Sequence, residues 1–568
     1  MHPTPTAPSR AQRRGDFSTL VEALDFAATG ETGLNFHDLR GKLTVALPYR
    51  ELREQAQDTA RGLLAAGLKP GDRVALIADT TAEFVRAFFG CQYAGVIPAP
   101  MPLPAPLGGR DAYVAQIARM MTAADAAAIV APVEWDAWVA EAAQIAGTTR
   151  VLRPAELPSG AGVALPTIAP DATSYLQFSS GSTRAPAGVV VTHAALMANA
   201  LAITRDGLKV TAADRAVSWL PLYHDMGLIG FLLSPLACQM SVDLLPTAGF
   251  VRRPLLWLDM ISRNGGTVSY SPSFGYDLCA RRADAAGDYD LSTWRIAGIG
   301  GDMVRPKPLE AFADQFAVAG FRRTAFVASY GMAEATLALT MAPLGEGIRT
   351  DDVDVDRMER DAVAVSGEGA ERKRSFVRCG PILPGHEIQV RGEAGEPLPE
   401  RRVGRIFVRG PSLMREYFRQ PEATAAVLSP DGWLDTGDLG YLSGGEITPT
   451  GRSKDLILLN GRNVWPQDLE WTAESGVGGL RSGDVAAISL DADNEESVVL
   501  LVQCRSGDPE TRRRICDDVA ALMRARHGLD ARVVLVGARA LPQTSSGKLS
   551  RSKARALYES GAFDLVES

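Results

Sequence analysis

The stretch DRVALIADTTAEFVRAFFGCQYAGVIPAP, residues 72–100, sets the fold class. Its segment DRVALIA is typical of a buried strand, TAEFVRAFFGCQYA of a helix and VIPAP of a second strand. The same order recurs in residues 126–154, with a predicted helix over Asp136–Gly147. Further strands are predicted at Thr267–Ser271, Arg295–Gly300 and Ala325–Ser329. Because strands that alternate with helices form a largely parallel sheet, we predict an α/β fold.

Two further units follow along the chain. From about residue 380 to residue 453, short strands punctuated by glycine predict a small β-rich subdomain. Residues 454–568 have the length and pattern of a small α+β domain. In this unit, strands are predicted at Asp484–Leu490, Glu496–Gln503 and Arg532–Leu535, and a helix at Pro509–Arg526. Residues 343–378 are polar and lack periodicity, which indicates an inserted loop or a mobile surface segment.

Composition excludes several classes of protein. The chain has 568 residues, of which 46% are hydrophobic and 22% charged, as in ordinary globular proteins. Its formal net charge of -8 gives no indication of nucleic-acid or anionic-membrane binding. The longest apolar run, residues 226–238, is too short to span a bilayer and is predicted to be core or pocket lining.

The N-terminus and the cysteines indicate the cellular location. Residues 1–16 lack the apolar core of a signal peptide, and we predict a disordered tail there. The six cysteines form no CxxC pair, so we expect neither a zinc site nor a disulfide framework. A reducing, cytoplasmic location is therefore expected.

A loop of small residues lies between two predicted strands. The segment SSGSTRAPAG, Ser179–Gly188, follows the apolar stretch SYLQF and precedes GVVVTH. Small residues allow backbone N–H groups to approach phosphate oxygens, and hydroxyl groups add further donors. The segment is not a GxxxxGK[ST] loop. From composition alone, a phosphate-binding loop and a solvated turn are equally favoured.

His224 and Glu334 are candidates for roles in a cavity. His224 precedes Asp225 and an apolar run, so it could gate a hydrophobic pocket, although a lone histidine is more often a satisfied core or capping residue. Glu334 follows the turn Ser329–Gly331, and one carboxylate beside phosphates commonly holds Mg2+. The alternative for Glu334 is an ordinary position at the start of a helix.

Three further motifs lie toward the C-terminus. Asp438, in GWLDTGDLG, could accept hydrogen bonds from ribose hydroxyl groups or could simply occupy a hairpin turn. Arg452 and Lys454, in GRSKD, lie at the predicted start of the C-terminal unit. Lys548, in TSSGKLSR, is presented by a loop that could equally be solvated.

In this order, the motifs resemble the adenylate-forming superfamily, which includes acyl-CoA synthetases, peptide-synthetase adenylation domains and fatty acyl-AMP ligases. The resemblance extends from about residue 17 to about residue 560. The segments most similar to fatty acyl-AMP ligases include LPLYHDMGLIG, YGMAEATL, GRSKDLILLNGRNVWPQDLE and TSSGKLSRSKARALYESG. Fatty acyl-AMP ligases carry an insertion that hinders the conformation used with CoA, and residues 343–378 lie where it is expected.

The resemblance implies an N-terminal AMP-binding domain, residues 17–453, and a small mobile lid domain, residues 454–568. It implies ATP and Mg2+ as cofactors, with Glu334 and Thr183 at the metal. Lys548, His224 and Glu334 are the implied catalytic residues, and Lys454 stands at the implied hinge. The implied nucleotide-binding residues are Ser179, Ser180, Gly181, Ser182, Thr183, Gly188, Gly300, Gly301, Asp302, Ser329, Tyr330, Gly331, Met332, Asp438, Arg452 and Lys454.

The chain departs from the family pattern at three places. The phosphate loop usually contains Gly-x-Pro-Lys-Gly, but residues 184–188 read RAPAG and provide no lysine. This form is similar to actinobacterial-type acyl-AMP ligases. Residues 300–302 read Gly-Gly-Asp in place of a common Gly-Ala-Glu, and Ser273 replaces a common asparagine. The last two changes leave the acyl specificity open.

The implied reaction activates a medium- or long-chain fatty acid with ATP to acyl-adenylate and pyrophosphate. The acceptor is expected to be a separate acyl carrier protein or a polyketide or non-ribosomal peptide synthase. The substrate carboxylate is itself the nucleophile, so catalysis requires positioning and charge neutralisation at the α-phosphate. The alternatives are a fatty acyl-CoA ligase, an amino-acid adenylation domain and a non-catalytic acyl- or nucleotide-binding homologue.

Overall fold

The computed structural model describes residues 12–104, 109–148, 150–178, 186–282, 286–459, 462–492, 495–543, 548–563 and 565–566. The strands in these residues are β1 (Gly33–His37), β2 (Leu43–Pro48), β3 (Arg73–Ile77), β4 (Ile97–Met101), β5 (Ala126–Val130), β6 (Val151–Leu152), β7 (Thr173–Phe178), β8 (Gly188–Thr192), β9 (Arg215–Ser218), β10 (Ser241–Leu244), β11 (Val268–Ser271), β12 (Ile296–Ile299), β13 (Phe326–Gly331), β14 (Ala338–Met341), β15 (Thr350–Asp354), β16 (Lys373–Val377), β17 (Glu387–Arg391), β18 (Gly404–Arg409), β19 (Leu434–Ser443), β20 (Glu446–Arg452), β21 (Ile457–Leu459), β22 (Arg462–Val464), β23 (Val485–Ala492), β24 (Glu495–Gln503) and β25 (Ala531–Val536).

The helices in the same residues are α1 (Leu20–Ala27), α2 (Tyr49–Ala65), α3 (Ala82–Ala94), α4 (Gly109–Ala124), α5 (Asp136–Ile145), α6 (His193–Leu201), α7 (Asp225–Leu228), α8 (Ser234–Ala237), α9 (Thr247–Arg252), α10 (Leu255–Asn264), α11 (Ser273–Ala280), α12 (Pro306–Gln315), α13 (Val355–Asp361), α14 (Pro421–Val427), α15 (Pro466–Gly476), α16 (Pro509–His527) and α17 (Arg551–Glu559). None of these helices has both the length and the apolar character needed to cross a membrane.

A central sheet of eight strands has the order β14-β13-β12-β11-β9-β10-β1-β2. The pairs from β13 to β1 are parallel, whereas β2 and β14 pair antiparallel at the two edges. Every residue of β11 and of β12 is buried, as expected for parallel strands covered on both faces. The three strands predicted between Thr267 and Ser329 are confirmed as β11, β12 and β13.

A second parallel sheet, in the order β4-β3-β5-β6, contains the stretch at residues 72–100 as the predicted β3, α3 and β4. Local sequence explains the ends of α3. The Thr81 side chain accepts a hydrogen bond from Phe84 N at the start, and Gly95 takes the left-handed conformation, with φ 65°, at the end. The predicted α/β class is confirmed.

The remaining sheets follow in chain order. The strands β17-β18-β19-β20 form an antiparallel sheet within the segment predicted to be β-rich. We call residues 454–566 the C-terminal unit. Its sheet β23-β24-β25 packs with α15 and α16 around a hydrophobic cluster of its own, which includes Leu469, Leu500 and Val519. The strands and the long helix predicted there are confirmed.

Residues 343–378, here called the inserted segment, have regular structure. The strands β15 and β16 pair antiparallel, and α13 lies between them with Asp354 as its N-cap. Val353, Met358 and Phe376 form a small core with Tyr441 of β19 and Trp465 of the C-terminal unit. The prediction of a loop or mobile segment was therefore wrong. Its few apolar residues are spaced among charges, and their packing partners are distant in the chain.

Part of the predicted N-terminal tail is ordered. Residues 1–11 lie outside the described residues, but Gln12 Nε2 donates a hydrogen bond to Cys238 O at 2.9 Å. Gly15 N donates to Ala237 O at 2.9 Å. The expectation of disorder was thus wrong for residues 12–16, because their partners lie more than two hundred residues away in sequence. The six cysteines are all free thiols in the structure.

Candidate active site

A cavity of about 3100 Å³ lies beside the carboxyl ends of the central strands and reaches the C-terminal unit. Residues that follow β11, β12 and β13 line it, and ligands of parallel α/β sheets bind at this edge. The predicted site residues that line the cavity are His224, Gly300, Gly301, Asp302, Ser329, Tyr330, Gly331, Met332, Glu334, Asp438, Arg452, Lys454 and Lys548.

The predicted phosphate loop falls largely outside the described residues. This applies to Ser179, Ser180, Gly181, Ser182 and Thr183. Phe178 and Pro186, which flank the undescribed part, both line the cavity. Gly188 is not among the lining residues; it begins β8, and its carbonyl accepts a hydrogen bond from Phe418 N at 2.8 Å.

Tyr330, Asp438 and Arg452 form one polar cluster in the cavity wall. The Tyr330 hydroxyl donates to Asp438 Oδ2 at 2.9 Å, and Arg452 Nε lies 3.2 Å from Asp438 Oδ1. Asp438 and Arg452 meet because they are paired residues of the β19–β20 ladder. Burial raises the pKa of the Asp438 carboxyl, and the Arg452 guanidinium opposes this rise. The cluster presents an oriented carboxylate that can accept hydrogen bonds from a ligand.

Glu334 is held by a residue that sequence reasoning missed. The Tyr417 hydroxyl donates to Glu334 Oε1 at 2.8 Å, and Met414 N donates to Glu334 O at 2.7 Å. Burial raises the pKa of Glu334, and the Tyr417 hydrogen bond lowers it. Tyr417 lies 83 residues from Glu334 in the chain, and no motif around it indicated this contact.

His224 both caps a helix and lines the cavity. It precedes α7, and its Nδ1 lies 2.7 Å from Asp225 Oδ1. The Met226 backbone N–H donates to the same carboxylate oxygen at 2.7 Å. Burial would raise the pKa of Asp225, but His224 and Lys548 lower it below its usual value. His224 can therefore cap α7 and line the cavity at the same time.

Two glycines that follow β12 line the cavity with backbone alone, because they have no side chains. A Cβ at Gly300 would lie 3.0 Å from Ser329 Oγ on the neighbouring strand. Gly301 has a φ of 78°, in the left-handed region that favours glycine. Asp302 Oδ1 accepts a hydrogen bond from Met303 N at 2.8 Å. A flat ligand can therefore approach the backbone at Gly300 and Gly301.

The apolar wall of the cavity depends on glycine and on unusual helical turns. The Tyr270 ring lies against Gly298, where a Cβ would come within 2.1 Å of the ring. Two π-helical turns, Ala202–Gly207 and Ile229–Leu233, contribute lining residues. Such turns are frequent at functional sites. Of the apolar run 226–238, predicted to be core or pocket lining, five residues line the cavity and the others are buried; the lining residues are Met226, Gly230, Phe231, Ser234 and Pro235.

Lys548 and Lys454 reach the cavity from the C-terminal unit. The ammonium group of Lys548 lowers the pKa of both Asp225 and Asp438, so it acts on two carboxylates of the cavity. Burial lowers the pKa of Lys454.

Arg551 anchors the chain just after Lys548. Its Nη2 lies 2.7 Å from Glu470 Oε2, and its Nη1 lies 2.9 Å from Asp455 Oδ2. Both ion pairs are inside the C-terminal unit, so the loop that presents Lys548 ends at a fixed point. Neither partner of Arg551 was predicted.

Two arginines connect the preceding part of the chain to the C-terminal unit. Arg305 Nη1 lies 3.3 Å from Glu474 Oε2, and its guanidinium lies 4.9 Å from the centre of the Trp471 ring. Arg374, on β16 of the inserted segment, has its Nη1 2.6 Å from Asp468 Oδ2. Burial raises the pKa of Glu474 to about 7 and that of Asp468 to about 6. No sequence motif indicated these contacts.

Comparison with known families matches the model described as AMP-binding enzyme to residues 35–418, more than half of the chain. The chain belongs to this family. A Caulobacter vibrioides protein with the provisional name acyl-CoA synthetase is 62% identical to this AMP-binding enzyme over 99% of its chain and 98% of the relative.

Relatives with more specific names support the resemblance to fatty acyl-AMP ligases. The medium-chain-fatty-acid–[acyl-carrier-protein] ligase JamA of Moorena producens is 31% identical, over 97% of each chain. A solved fatty acyl-adenylate ligase, from work on the E. coli and L. pneumophila enzymes, is 44% identical with a TM-score of 0.94. That match covers 97% of this chain and 100% of the other. The resemblance stated from sequence is confirmed.

Proposed function

We propose that this AMP-binding enzyme converts a medium- or long-chain fatty acid and ATP to acyl-adenylate and pyrophosphate. The observation that carries the proposal is the shared cavity. Its apolar wall adjoins the Tyr330–Asp438–Arg452 cluster, Glu334 and Lys548. A fatty acyl chain and a nucleotide can therefore meet in one cavity.

The nucleotide is positioned by groups already oriented before it binds. Asp438 accepts hydrogen bonds from the ribose hydroxyl groups while Arg452 and Tyr330 hold its carboxylate in place. The adenine lies beside Tyr330 and the backbone at Gly300 and Gly301. The phosphates extend toward the loop that contains Ser179–Thr183, whose two ends line the cavity.

Lys548 provides the charge that the reaction needs. The fatty acid carboxylate attacks the α-phosphate, and both groups are anionic before and during the attack. The lysine lines the cavity before substrate binds, and its ammonium group would move to the two reacting anions. Charge neutralisation in a site that excludes water lowers the barrier more than the same charge would in water. His224 lies beside this path and separates it from the apolar wall.

Glu334 fits a metal that is shared with phosphates. In the described residues, no group of three or more His, Cys, Asp or Glu side chains could hold a metal by itself. A single carboxylate together with phosphate oxygens is the usual arrangement for Mg2+. When bound, Mg2+ neutralises phosphate charge and supports departure of pyrophosphate. Tyr417 keeps Glu334 oriented for this role, and Thr183 is the second ligand that we propose.

Residues 17–453 and 454–568 act as body and lid, with the hinge at Lys454. The lid carries Lys548, and it follows β20 along the chain. Rotation at Lys454 would remove Lys548 from the cavity after adenylation and allow the acceptor thiol to approach.

The proposed acceptor is a carrier protein or a synthase rather than CoA. JamA is named as a ligase that uses an acyl carrier protein, whereas the 62% identical relative is provisionally named as an acyl-CoA synthetase. A CoA ligase is therefore the second candidate. The inserted segment favours the first, because in fatty acyl-AMP ligases such an insertion hinders the conformation used with CoA. Here Arg374 of this segment is ion-paired to Asp468 of the C-terminal unit.

The test combines purified enzyme, MgATP and fatty acids of increasing chain length, with and without CoA, and identifies products by mass spectrometry. We expect acyl-AMP and pyrophosphate, with acyl-AMP persisting when CoA is present. Conversion to acyl-CoA would replace the proposal with the second candidate. Absence of ATP-dependent pyrophosphate release would reject both.

A further inference from the structure

Exposed hydrophobic side chains are concentrated at one place on the surface. Of the nine large hydrophobic side chains that are exposed in the described residues, four are Leu39, Leu43, Val251 and Phe274. Leu39 lies in the β1–β2 turn, Leu43 begins β2, Val251 lies on α9 and Phe274 on α11. We call these four residues and the charged residues between them the mouth patch.

Contacts between the three elements make the mouth patch continuous. A Cβ at Gly249 on α9 would lie 3.4 Å from the Cα of Leu39, so the β1–β2 turn rests on α9. Arg282, after α11, donates a hydrogen bond from Nη1 to the Arg252 carbonyl at the end of α9. The turn, α9 and the end of α11 thus form one surface.

The mouth patch is basic on an acidic protein. Its exposed cations are Arg40, Lys42, Arg252, Arg253, Arg281 and Arg282. Its carboxylates in the described residues are Asp38, which accepts the backbone N–H groups of residues 40 and 42, and Asp277, which lies 2.8 Å from Arg281. Asp284, two residues after Arg282, lies outside the described residues. The whole chain has a formal net charge of -8, so positive charge is concentrated here against the overall balance. The net charge of the whole chain therefore gave no indication of this basic surface.

The cavity opens within the mouth patch. Leu39, Val251 and Phe274 are exposed and also line the cavity, so they stand at an opening rather than on a closed wall. Behind them, buried lining side chains include Phe36 and Met240, which continue an apolar path inward. Apolar side chains therefore lie both at this opening and deeper in the cavity, where they can contact a hydrophobic chain.

We propose that the mouth patch docks the enzyme on an anionic lipid surface, from which the fatty acid enters the cavity. This rests on the proposed function in that the substrate is a fatty acid, which partitions into bilayers. Cations at the rim bind anionic headgroups, while the four apolar side chains enter the interfacial region. The acyl chain then passes from bilayer to cavity with little exposure to water.

The composition of the patch favours a lipid surface over an acidic protein. Protein interfaces are anchored by clustered aromatic side chains packed in pockets, and Phe274 is the single aromatic member of this group of four. Separate aliphatic side chains interleaved with arginine and lysine are typical of interfacial lipid contacts. An acidic protein face is the outcome that the test must distinguish.

The experiment measures sedimentation of the full-length protein with vesicles of phosphatidylcholine alone or mixed with phosphatidylglycerol. We expect binding to the mixed vesicles only, weakened by added salt. The variant Leu43→Asp/Arg253→Glu should lower the partition coefficient ~10-fold or more. A second variant, Arg40→Glu/Lys42→Glu, tests the same patch without changing an apolar side chain and should also weaken binding.

The matched control is Ile145→Asp/Arg513→Glu, which changes an exposed isoleucine and an exposed arginine elsewhere on the surface. It alters the net charge by the same amount as the first variant and should bind as the unchanged protein does. Equal losses of vesicle binding in the control and in the patch variants would overturn the proposal. Absence of binding to mixed vesicles would also overturn it and would leave an acidic protein as the occupant. Adenylation of a short, soluble fatty acid, measured separately, reports on the proposed function independently of vesicle binding.

Discussion

Arg374 and Asp468 form an ion pair between the inserted segment and the C-terminal unit. Arg374 Nη1 lies 2.6 Å from Asp468 Oδ2, and the side chains are only 9% and 13% exposed. The guanidinium also lies 4.0 Å from the centre of the Phe376 ring. Burial raises the pKa of Asp468 to about 6 and lowers the pKa of Arg374. Burial therefore acts against the charged form of each partner, and the attraction between the two charges offsets it.

This balance predicts unequal effects of single and double substitution. Arg374→Met leaves a buried carboxylate without its cation and should lower the free energy of unfolding by about 3–5 kcal/mol. Arg374→Met/Asp468→Leu removes both charges and should be far closer to the unchanged protein. Urea unfolding monitored by tryptophan fluorescence measures both. If the double variant loses as much free energy of unfolding as the two single variants together, the two charges do not compensate each other.

Lys548→Ala tests the proposed role of the mobile charge. We expect adenylate formation to fall by ~10²-fold or more with little change in ATP binding, because the ammonium acts where charge develops. Pyrophosphate release gives the rate, and calorimetric titration with ATP gives the affinity. Lys69→Ala, at an exposed lysine that does not line the cavity, is the matched control and should retain activity. Near-normal adenylation by Lys548→Ala would reject the role.

Tyr417→Phe tests whether Glu334 holds Mg2+. Removal of the hydroxyl deletes the hydrogen bond to Glu334 Oε1. That bond lowers the pKa of the carboxyl against the effect of burial, so the pKa should rise further in the variant. We expect several-fold weaker activation by Mg2+, most marked at acid pH, where more of the carboxyl is protonated. Magnesium titrations of pyrophosphate release at two pH values measure this. An unchanged Mg2+ dependence at both would remove Glu334 from the metal site.

Glu474 should make stability depend on pH. Burial raises its folded-state pKa to about 7, compared with 4.5 for an ordinary glutamate. The native state therefore binds the proton more tightly, so the stabilising contribution is complete below pH 4.5 and is lost as the pH rises toward 7. Its limit is about 3 kcal/mol. Glu474→Gln should flatten the change in unfolding free energy over this interval. Glu310→Gln, at an exposed glutamate on α12, should keep the original slope.

Local sequence was sufficient for the regular elements near residues 72–100 and for the C-terminal sheet. Their apolar periodicity matches the strands and helices that form, and caps such as Thr81 and Gly95 fix the ends. The order of the motifs resembles that of the adenylate-forming superfamily, and this resemblance assigned five residues to one site: Tyr330, Glu334, Asp438, Arg452 and Lys548. The described residues place all five in one cavity, while their chemical roles stay predictions.

The inserted segment shows where local pattern fails. The segment has too few apolar residues to indicate a helix or a strand by their spacing. Even so, Val353, Met358 and Phe376 pack in one cluster with Tyr441 and Trp465. Burial against residues far along the chain supplies the stabilisation that local propensity lacks. A window of sequence contains no information about such partners.

By itself, the sequence determined the α/β class, the order of the units and the residue types that a nucleotide and an acyl chain require. Periodicity and motif order are properties of neighbouring residues and can be read along the chain. Only the tertiary structure decided which hydroxyl holds Glu334, which carboxylate meets Arg374 and where the cavity opens. Those relationships join residues from separate elements, and their electrostatics depend on burial, which exists only once the chain has folded.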